Sequence, residues 1–470
     1  MTTAVRTQTP TTTPLPPGTL RWASVLTLGP ILALLDTTIV SVGIGSIAKS
    51  LGSPMASIQW IATGYLLAIA LVMPLSSWAA TRFGAKRMWM ASVAMFIAGS
   101  ALCGLAWSTT SLIVFRVLQG LGGGMIQPIG QTVLVKAVGR ERLAKVIGMM
   151  LIPITFAPAV GPVLGGIILS GLGWRWMFLL NVPIGIVALI LAGRMVPADR
   201  DREPAGTGGN RLDRLGFALL APGLTGLLYG LTEVSGTGGS RFGLPALVAG
   251  AVLVVGYGIH ALRTRITPVI DLRLFADRGF AVAAGNSFLQ GAVLYSAMLL
   301  LPLYFQQVRH VDALHTGWLV LPQALATAIA GFLAGKVSDR FSARSMILAG
   351  LGLTLLGTVV FTQLGNDPAG WLITASLVLR GMGIGIVMVP GMAAVYSSLT
   401  PQQFAQAAGT INVLNRVGGA VGTTVVPLIL QHYLAAHAGA AGFGLTFWWV
   451  LGLSALAIGP ALLYPGRKAE

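Results

Sequence analysis

Ser77-Trp-Ala-Ala-Thr81-Arg82-Phe83-Gly-Ala-Lys86 closes one long apolar run, and Gly335-Lys-Val-Ser-Asp339-Arg340-Phe341-Ser-Ala-Arg344 closes another. The two stretches align without a gap at an offset of 258 residues. In both, a basic loop centred on Arg-Phe follows an uncharged run long enough to cross the ~30 Å hydrocarbon layer of a bilayer, which takes about 20 residues. A unit of this kind that returns further along the chain points to two similar halves built from membrane-crossing helices.

Working outward from these loops, fourteen apolar runs can be marked off, at 24–48, 57–80, 88–107, 111–134, 145–170, 175–194, 213–232, 243–263, 279–306, 315–336, 344–364, 369–396, 405–431 and 442–464. The stretch from Val417 to Gly466 has no Asp, Glu, Lys or Arg; it is too long for one crossing and splits between His432 and Gly442. The composition agrees. Of 470 residues 55% are hydrophobic and only 9% charged, with mean hydropathy +0.81, against roughly 25% charged in soluble domains. Gly 62 and Pro 25 suit membrane helices that pack closely and bend. The single cysteine, Cys103, excludes an intramolecular disulfide framework. The expected fold is an all-α polytopic membrane protein.

The net charge of +17 is explained by topology. With the N-terminus in the cytoplasm, inner segments hold 23 Lys and Arg and nine acids. Outer segments hold only Lys49, Arg175, Arg241 and Arg309. This is the positive-inside bias; it places both termini in the cytoplasm and the chain in the cytoplasmic membrane. No soluble basic domain remains for nucleic acid to bind. The organisation reads as a Thr- and Pro-rich disordered tail (1–20), a six-helix half (21–195), a linker (196–212), two inserted helices (213–264), a second linker (265–278) and a second six-helix half (279–470). The inserted pair carries no deep charge and reads as peripheral. Arg116 in span 4 and Arg380 in span 12 read as a repeated pair at an offset of 264.

Four further motifs carry a resemblance. They are Leu35-Asp36-Thr-Thr-Ile-Val40 in span 1, Arg116-Val-Leu-Gln119-Gly120 in span 4, Ala157-Pro158-Ala-Val-Gly161-Pro162-Val-Leu-Gly165-Gly166 in span 5, and Trp174-Arg-Trp-Met-Phe-Leu-Leu-Asn181-Val-Pro183 before span 6. Together with the repeated loop, they resemble the fourteen-span drug:proton antiporters of the major facilitator superfamily, over nearly the whole chain. The resemblance implies the major facilitator fold, two pseudo-symmetric six-helix halves plus two inserted helices. The span 5 motif goes with export in that family. Two departures stand out. The family's loop motif usually has Gly and Asp where this chain has Ser77 and Thr81, although the second copy keeps Gly335 and Asp339. Gly45 stands where the family often has Pro.

Asp36 is the one acidic residue deep in a span. A mid-helix carboxylate costs roughly 2.5–3.5 kcal/mol on insertion scales, so such residues mark ion or substrate pathways. Arg116 is its natural partner, with Gln119 and Gly120 near the same helix face. This pair is expected to couple protons. Candidate substrate contacts are Tyr65, Met125, Gln127, Asn286, Gln290, Tyr295, Gln323 and Asn412, polar or adaptable groups in an otherwise apolar cavity. Candidate gating and structural residues are Arg82, Gln119, Gly120, Pro158, Gly161, Pro162, Gly165, Gly335, Asp339, Arg340, Arg380 and Arg416. Proline bends span 5, and glycines four apart let another backbone approach.

His260, His310, His315, His432 and His437 fall at span ends, so no metal site and no cofactor are expected. No G-x-x-x-x-G-K-[ST] phosphate loop occurs, so the driving force is a gradient. A proton crossing ~150 mV and ~0.5 pH unit yields roughly 4 kcal/mol. The expected function is proton-coupled export of amphipathic, cationic drugs or antibiotics by a monomer. The alternatives are a dedicated exporter of one metabolite, lipid or self-made antibiotic, and an integral-membrane transferase, which would need clustered acids, His or Lys at an interface.

Overall fold

The computed structural model describes residues 18–53, 55–138, 140–197, 213–235, 242–264, 266, 268–311, 313–338, 340–366, 368–396, 403–437 and 439–464. Most of the expected tail and of the 196–212 linker lies outside the described residues. The first half comprises α1 (Thr19–Leu51), α2 (Met55–Val72), α3 (Ser76–Phe83), α4 (Ala85–Gly104), α5 (Thr109–Val138), α6 (Arg140–Gly171), α7 (Arg175–Leu179) and α8 (Asn181–Met195). The inserted pair is α9 (Arg214–Ser235) and α10 (Gly243–Arg263). The second half comprises α11 (Arg278–Gln307), α12 (Ala313–Val337), α13 (Ala343–Thr362), α14 (Gly370–Tyr396), α15 (Phe404–Ala436), α16 (Ala440–Leu456) and α17 (Ile458–Leu462).

A 3-10 turn at Met73–Leu75, with Pro74 at its start, joins α2 to α3. Proline lacks the amide hydrogen that would continue the α-helix there. Among the described residues thirteen segments are long and apolar enough to cross a membrane. The span expected at 145–170 lies in the 32-residue α6, so a helix stands at each of the fourteen expected places. The long uncharged stretch breaks where Gly439 takes φ 64, between α15 and α16. This left-handed backbone costs glycine nothing. The protein is an all-α, multi-pass membrane protein.

Glycines set the packing inside each half. A Cβ on Gly120 would lie 2.6 Å from the Tyr65 carbonyl oxygen, and one on Gly124 would lie 2.9 Å from Ile69 Cα, so this face of α5 meets the α2 backbone directly. Gly122 faces the other way, against Ser92 and Phe96 of α4. In the second half Gly381 and Gly385 meet α12 at Gln323 and Thr327, while Gly383 meets α13 at Gly350 and Thr354. Small residues at these contacts let backbones approach where water supplies no hydrophobic drive.

This pattern corrects the expected alignment of the halves. Gly120, Gly122 and Gly124 match Gly381, Gly383 and Gly385 at an offset of 261, so Arg380 occupies the place of Gln119, one helical turn from the counterpart of Arg116. Matching arginine to arginine ignored the glycine spacing, which is what backbone packing obeys.

The halves meet along two seams: α6 against α12 and α14, and α15 against α3 and α5. Gly409 on α15 faces Ser76 and Ser77 of α3, where a Cβ at Gly409 would lie 3.9 Å from Ser77 Cβ. The serine that replaces the family's usual glycine therefore fits, because a glycine stands opposite. The inserted helices are not both peripheral. Val248, Val252 and Val255 of α10 are exposed, but α9 packs against α2 and α15, one helix from each half. Leu220 and Leu224 of α9 are buried, and Tyr229 meets the Trp60 ring at 5.5 Å.

Candidate functional site

A sealed polar cluster sits inside the first half. Asp36 on α1 is fully buried and forms an ion pair with Arg116 on α5, Nη1 to Oδ2 at 2.5 Å. Its other oxygen, Oδ1, accepts from Gln119 Nε2 at 2.8 Å and from Asn181 Nδ2 at 2.9 Å. Both amides also donate to Ser100 Oγ, at 3.0 and 2.9 Å. Arg116 in turn donates to Gln119 Oε1 at 2.8 Å and, through Nε, to the Ile61 carbonyl at 3.2 Å. Its guanidinium lies 4.1 Å from the centroid of the Tyr65 ring, a cation–π contact. Helices α1, α2, α4, α5 and α8 thus converge on one buried polar cluster, with α5 and α8 bonding the carboxylate directly. Loss of either charge would strand the other in a medium that hydrates it poorly.

Spacing within α5 explains part of this convergence: Arg116 and Gln119, three apart, share a face. A Cβ on Gly99 of α4 would fall 2.6 Å from Gln119 Cα, so that glycine admits Gln119 into the cluster. Asn181 opens α8, and its role was missed, although the Asn-Val-Pro motif around it was visible in the sequence. Ser100, one serine in an apolar helix, carried no such signal.

A second site lies between the halves, toward the ends of the helices that carry most of the Lys and Arg, the basic side. It is a cavity of about 160 Å³. Four of the expected substrate contacts line it: Gln127 on α5, Asn286 and Gln290 on α11, and Asn412 on α15. The sequence reading missed Gln131, Asn415 and Tyr464, which line it too. Asn412 Nδ2 donates to Gln131 Oε1 at 2.7 Å, a hydrogen bond from one half to the other. Gln131 lies four residues from Gln127, and Asn415 three from Asn412, so helical periodicity around the expected residues would have found both.

The remaining expected contacts do not line this cavity. Tyr65 belongs to the Arg116 cluster, and Met125 is packed into the hydrophobic core. The carbonyl of Gln323 abuts Gly381. Tyr295 lies 5.7 Å from the guanidinium of the half-buried Arg416. Arg380 is wholly buried, and its Nη2 donates to the Val293 carbonyl at 3.4 Å.

Among the motif residues, Arg82 and Arg340 are exposed at the basic side, and Gly335 is buried. Asp339 lies outside the described residues. Gly161 fits against Thr38 and Gly165 against Ile39 and Val42, so α6 packs closely on α1; Pro158 and Pro162 stand on the same helix. No cluster of His, Cys, Asp or Glu suited to a metal occurs among the described residues.

The sequence profile of the Major Facilitator Superfamily matches residues 26–423 and 283–469. The chain belongs to that superfamily. This facilitator is 37% identical over 419 residues to a Multidrug resistance protein B homolog of Mycobacterium tuberculosis, covering 88% of the chain and 77% of that protein. It is 30% identical over 460 residues to a Putative multidrug resistance protein MdtD of Klebsiella pneumoniae, covering 95% of each. Among solved structures it is similar to the proton:xylose symporter XylE bound to 6-bromo-6-deoxy-D-glucose, with TM-score 0.68, 14% identity and 96% of each chain covered. It is also similar to the human organic anion transporter MFSD10, with TM-score 0.63, 17% identity, and 96% of this chain and 100% of that one covered. The last two likenesses concern the fold alone. As a member of the Major Facilitator Superfamily the chain is a membrane transporter.

Proposed function

We propose that this facilitator is a proton-coupled antiporter that exports amphipathic small molecules across the cytoplasmic membrane by alternating access, as a monomer with both termini and the basic side in the cytoplasm. The observation that carries the reading is the Asp36 cluster: one carboxylate, fully buried, held by a single guanidinium and two amides. With Asp36 ionised the pair is neutral. When Asp36 takes a proton, Arg116 keeps its charge in a site that is 1% exposed and loses its counter-ion. An unpaired buried charge costs several kcal/mol, so α1 and α5 must shift until the guanidinium is hydrated or paired again. That shift is the coupling step: proton entry from outside drives the change of access, and return of the proton to the cytoplasm restores the pair.

Two features support transmission of the shift. Helix α6 packs on α1 through Gly161 and Gly165 and on α12 across the seam. Its prolines free backbone carbonyls and let it bend. Arg82, Gly335, Asp339 and Arg340 belong to the repeated sequence motif and bias the access equilibrium, while Arg380 and Arg416 anchor glycine-rich helices of the second half. With one carboxylate deep in the spans, few protons accompany each cycle.

The test is uphill transport in proteoliposomes under an imposed pH gradient, with chloramphenicol and tetraphenylphosphonium as cargoes. Wild type accumulates cargo against its gradient. Asp36→Asn keeps the size of the side chain and cannot cycle a proton, so it loses uphill accumulation while still exchanging labelled for unlabelled cargo at equilibrium. Full uphill pumping by Asp36→Asn removes the basis of the proposal.

A further inference from the structure

The cavity wall has a chemistry of its own. Six of its residues are carboxamides: Gln127 and Gln131 on α5, Asn286 and Gln290 on α11, Asn412 and Asn415 on α15. Among the described residues no charged side chain lines it. Each carboxamide offers one acceptor oxygen and two donor hydrogens, and two are idle. The half-buried Gln127 and Gln290 side chains make no hydrogen bond to another described residue, while Asn286 has the Tyr464 hydroxyl as its partner. Idle polar groups inside a membrane protein are costly, and a ligand that hydrogen-bonds both ways would satisfy them.

Charge narrows the choice. The one carboxylate within the spans, Asp36, is fully buried and already saturated by Arg116, Gln119 and Asn181. It is not available to a cationic cargo. Arg416 lies one turn along α15 from Asn412, and Arg380 is buried in the same half without a carboxylate. A cation entering here would meet no anion in the wall among the described residues. Arg416 itself does not line the cavity, which leaves an anionic cargo without a partner in the wall.

Resting on the export reading above, we infer that this cavity takes the polar head of a neutral amphiphile, a hydroxyl- or amide-bearing compound, and that its entry breaks the Asn412–Gln131 hydrogen bond between the halves. The cavity is smaller than the 300–1,000 Å³ of drug-sized sites, so only the head enters. Leu26, Leu134, Met150 and Ile154 give its apolar remainder a wall to lie on. A ligand group with both donor and acceptor replaces what each amide loses when the bond breaks; a quaternary cation has neither. This departs from the cationic cargo expected from the sequence.

The experiment is equilibrium binding to the purified full chain in detergent, with radiolabelled chloramphenicol as the neutral probe and tetraphenylphosphonium as the cation. Wild type binds chloramphenicol at least tenfold more tightly. Asn412→Leu and Gln131→Leu each weaken chloramphenicol roughly tenfold, the effect of stranding a buried polar partner, and leave the cation unchanged. Gln131→Glu puts an acid in the wall and reverses the preference. Thermal unfolding of each variant verifies that it folds, and Gln131→Glu reads the cavity through a gain. Tighter binding of the cation by wild type, absent chloramphenicol binding, or leucine variants that bind chloramphenicol as wild type does would overturn the inference. Binding needs no proton gradient, so this result and that of Asp36→Asn pumping fail separately.

Discussion

Asp36 and Arg116 hold each other in place, and their energetics can be separated by mutation. Arg116→Ala leaves Asp36 buried among amides that cannot neutralise it, a loss of about 3–5 kcal/mol for breaking a buried pair, so thermal unfolding in detergent should shift clearly downward. Adding Asp36→Asn to Arg116→Ala removes the stranded charge and should recover part of the shift, because a buried pair contributes little net stability while half of one is costly. If the double variant is no more stable than Arg116→Ala, the ion pair is not what holds α1 to α5. Arg116→Lys keeps the charge but not the planar fork that reaches both Gln119 and the Ile61 carbonyl, and should fall between. At this scale the sequence was legible where chemistry is rare: Asp36 is the one acid deep in a span, and of the three arginines within spans Arg116 alone lies in the same half. Ser100 and Asn181 were not, since a serine or asparagine in a membrane helix has many uses until the neighbouring helices are placed.

At the scale of the helix, glycine rather than charge carries the information. Gly122-Gly-Gly124 and Gly383-Ile-Gly385 each wedge one helix between two others. A Cβ on Gly122 would lie 2.5 Å from the Phe96 backbone nitrogen and 2.7 Å from the Ser92 oxygen; backbone cannot yield as a side chain can. Gly122→Ala should therefore cost about 1–3 kcal/mol, the scale of overpacking, seen as lower folded yield and a lower unfolding temperature. Gly45→Ala is the control: nothing lies within 4 Å of its Cβ position, so its unfolding temperature should hold or rise with alanine's better helix propensity. Equal effects at the two positions would mean that helix propensity, not close approach, decides. Helix number and place were readable because the bilayer demands about 20 apolar residues per crossing. The internal alignment was readable too, but in the glycines: Leu-Val-Leu-Arg380-Gly-Met-Gly matches Arg116-Val-Leu-Gln-Gly-Leu-Gly letter for letter at the small residues, and the two arginines stand one turn out of that register.

In the whole molecule, two halves rest on two seams, and α9 lies beside one of them, touching α2 and α15 at once. No hydropathy pattern could place α9 there, because an apolar helix facing lipid and one facing two other helices read alike. The Asn412–Gln131 bond crosses from α15 to α5 on the basic side, near the contact of Gly409 with Ser76 and Ser77. The proposed alternating access requires the halves to part on that side in one state and close in the other, so a link across it must arrest the cycle. Gln131→Cys with Asn412→Cys, treated with a short bifunctional thiol reagent, should abolish uphill transport, and a reducible reagent should restore it on reduction. Either single cysteine given the same treatment should retain transport. Cys103 can stay, since it is fully buried within the first half and bonded toward Gln119, out of reach of the reagent. Two cysteines joined in this way that still let the protein pump would mean that the α5–α15 seam stays closed throughout the cycle. The opening would then have to be sought at α6 and α12.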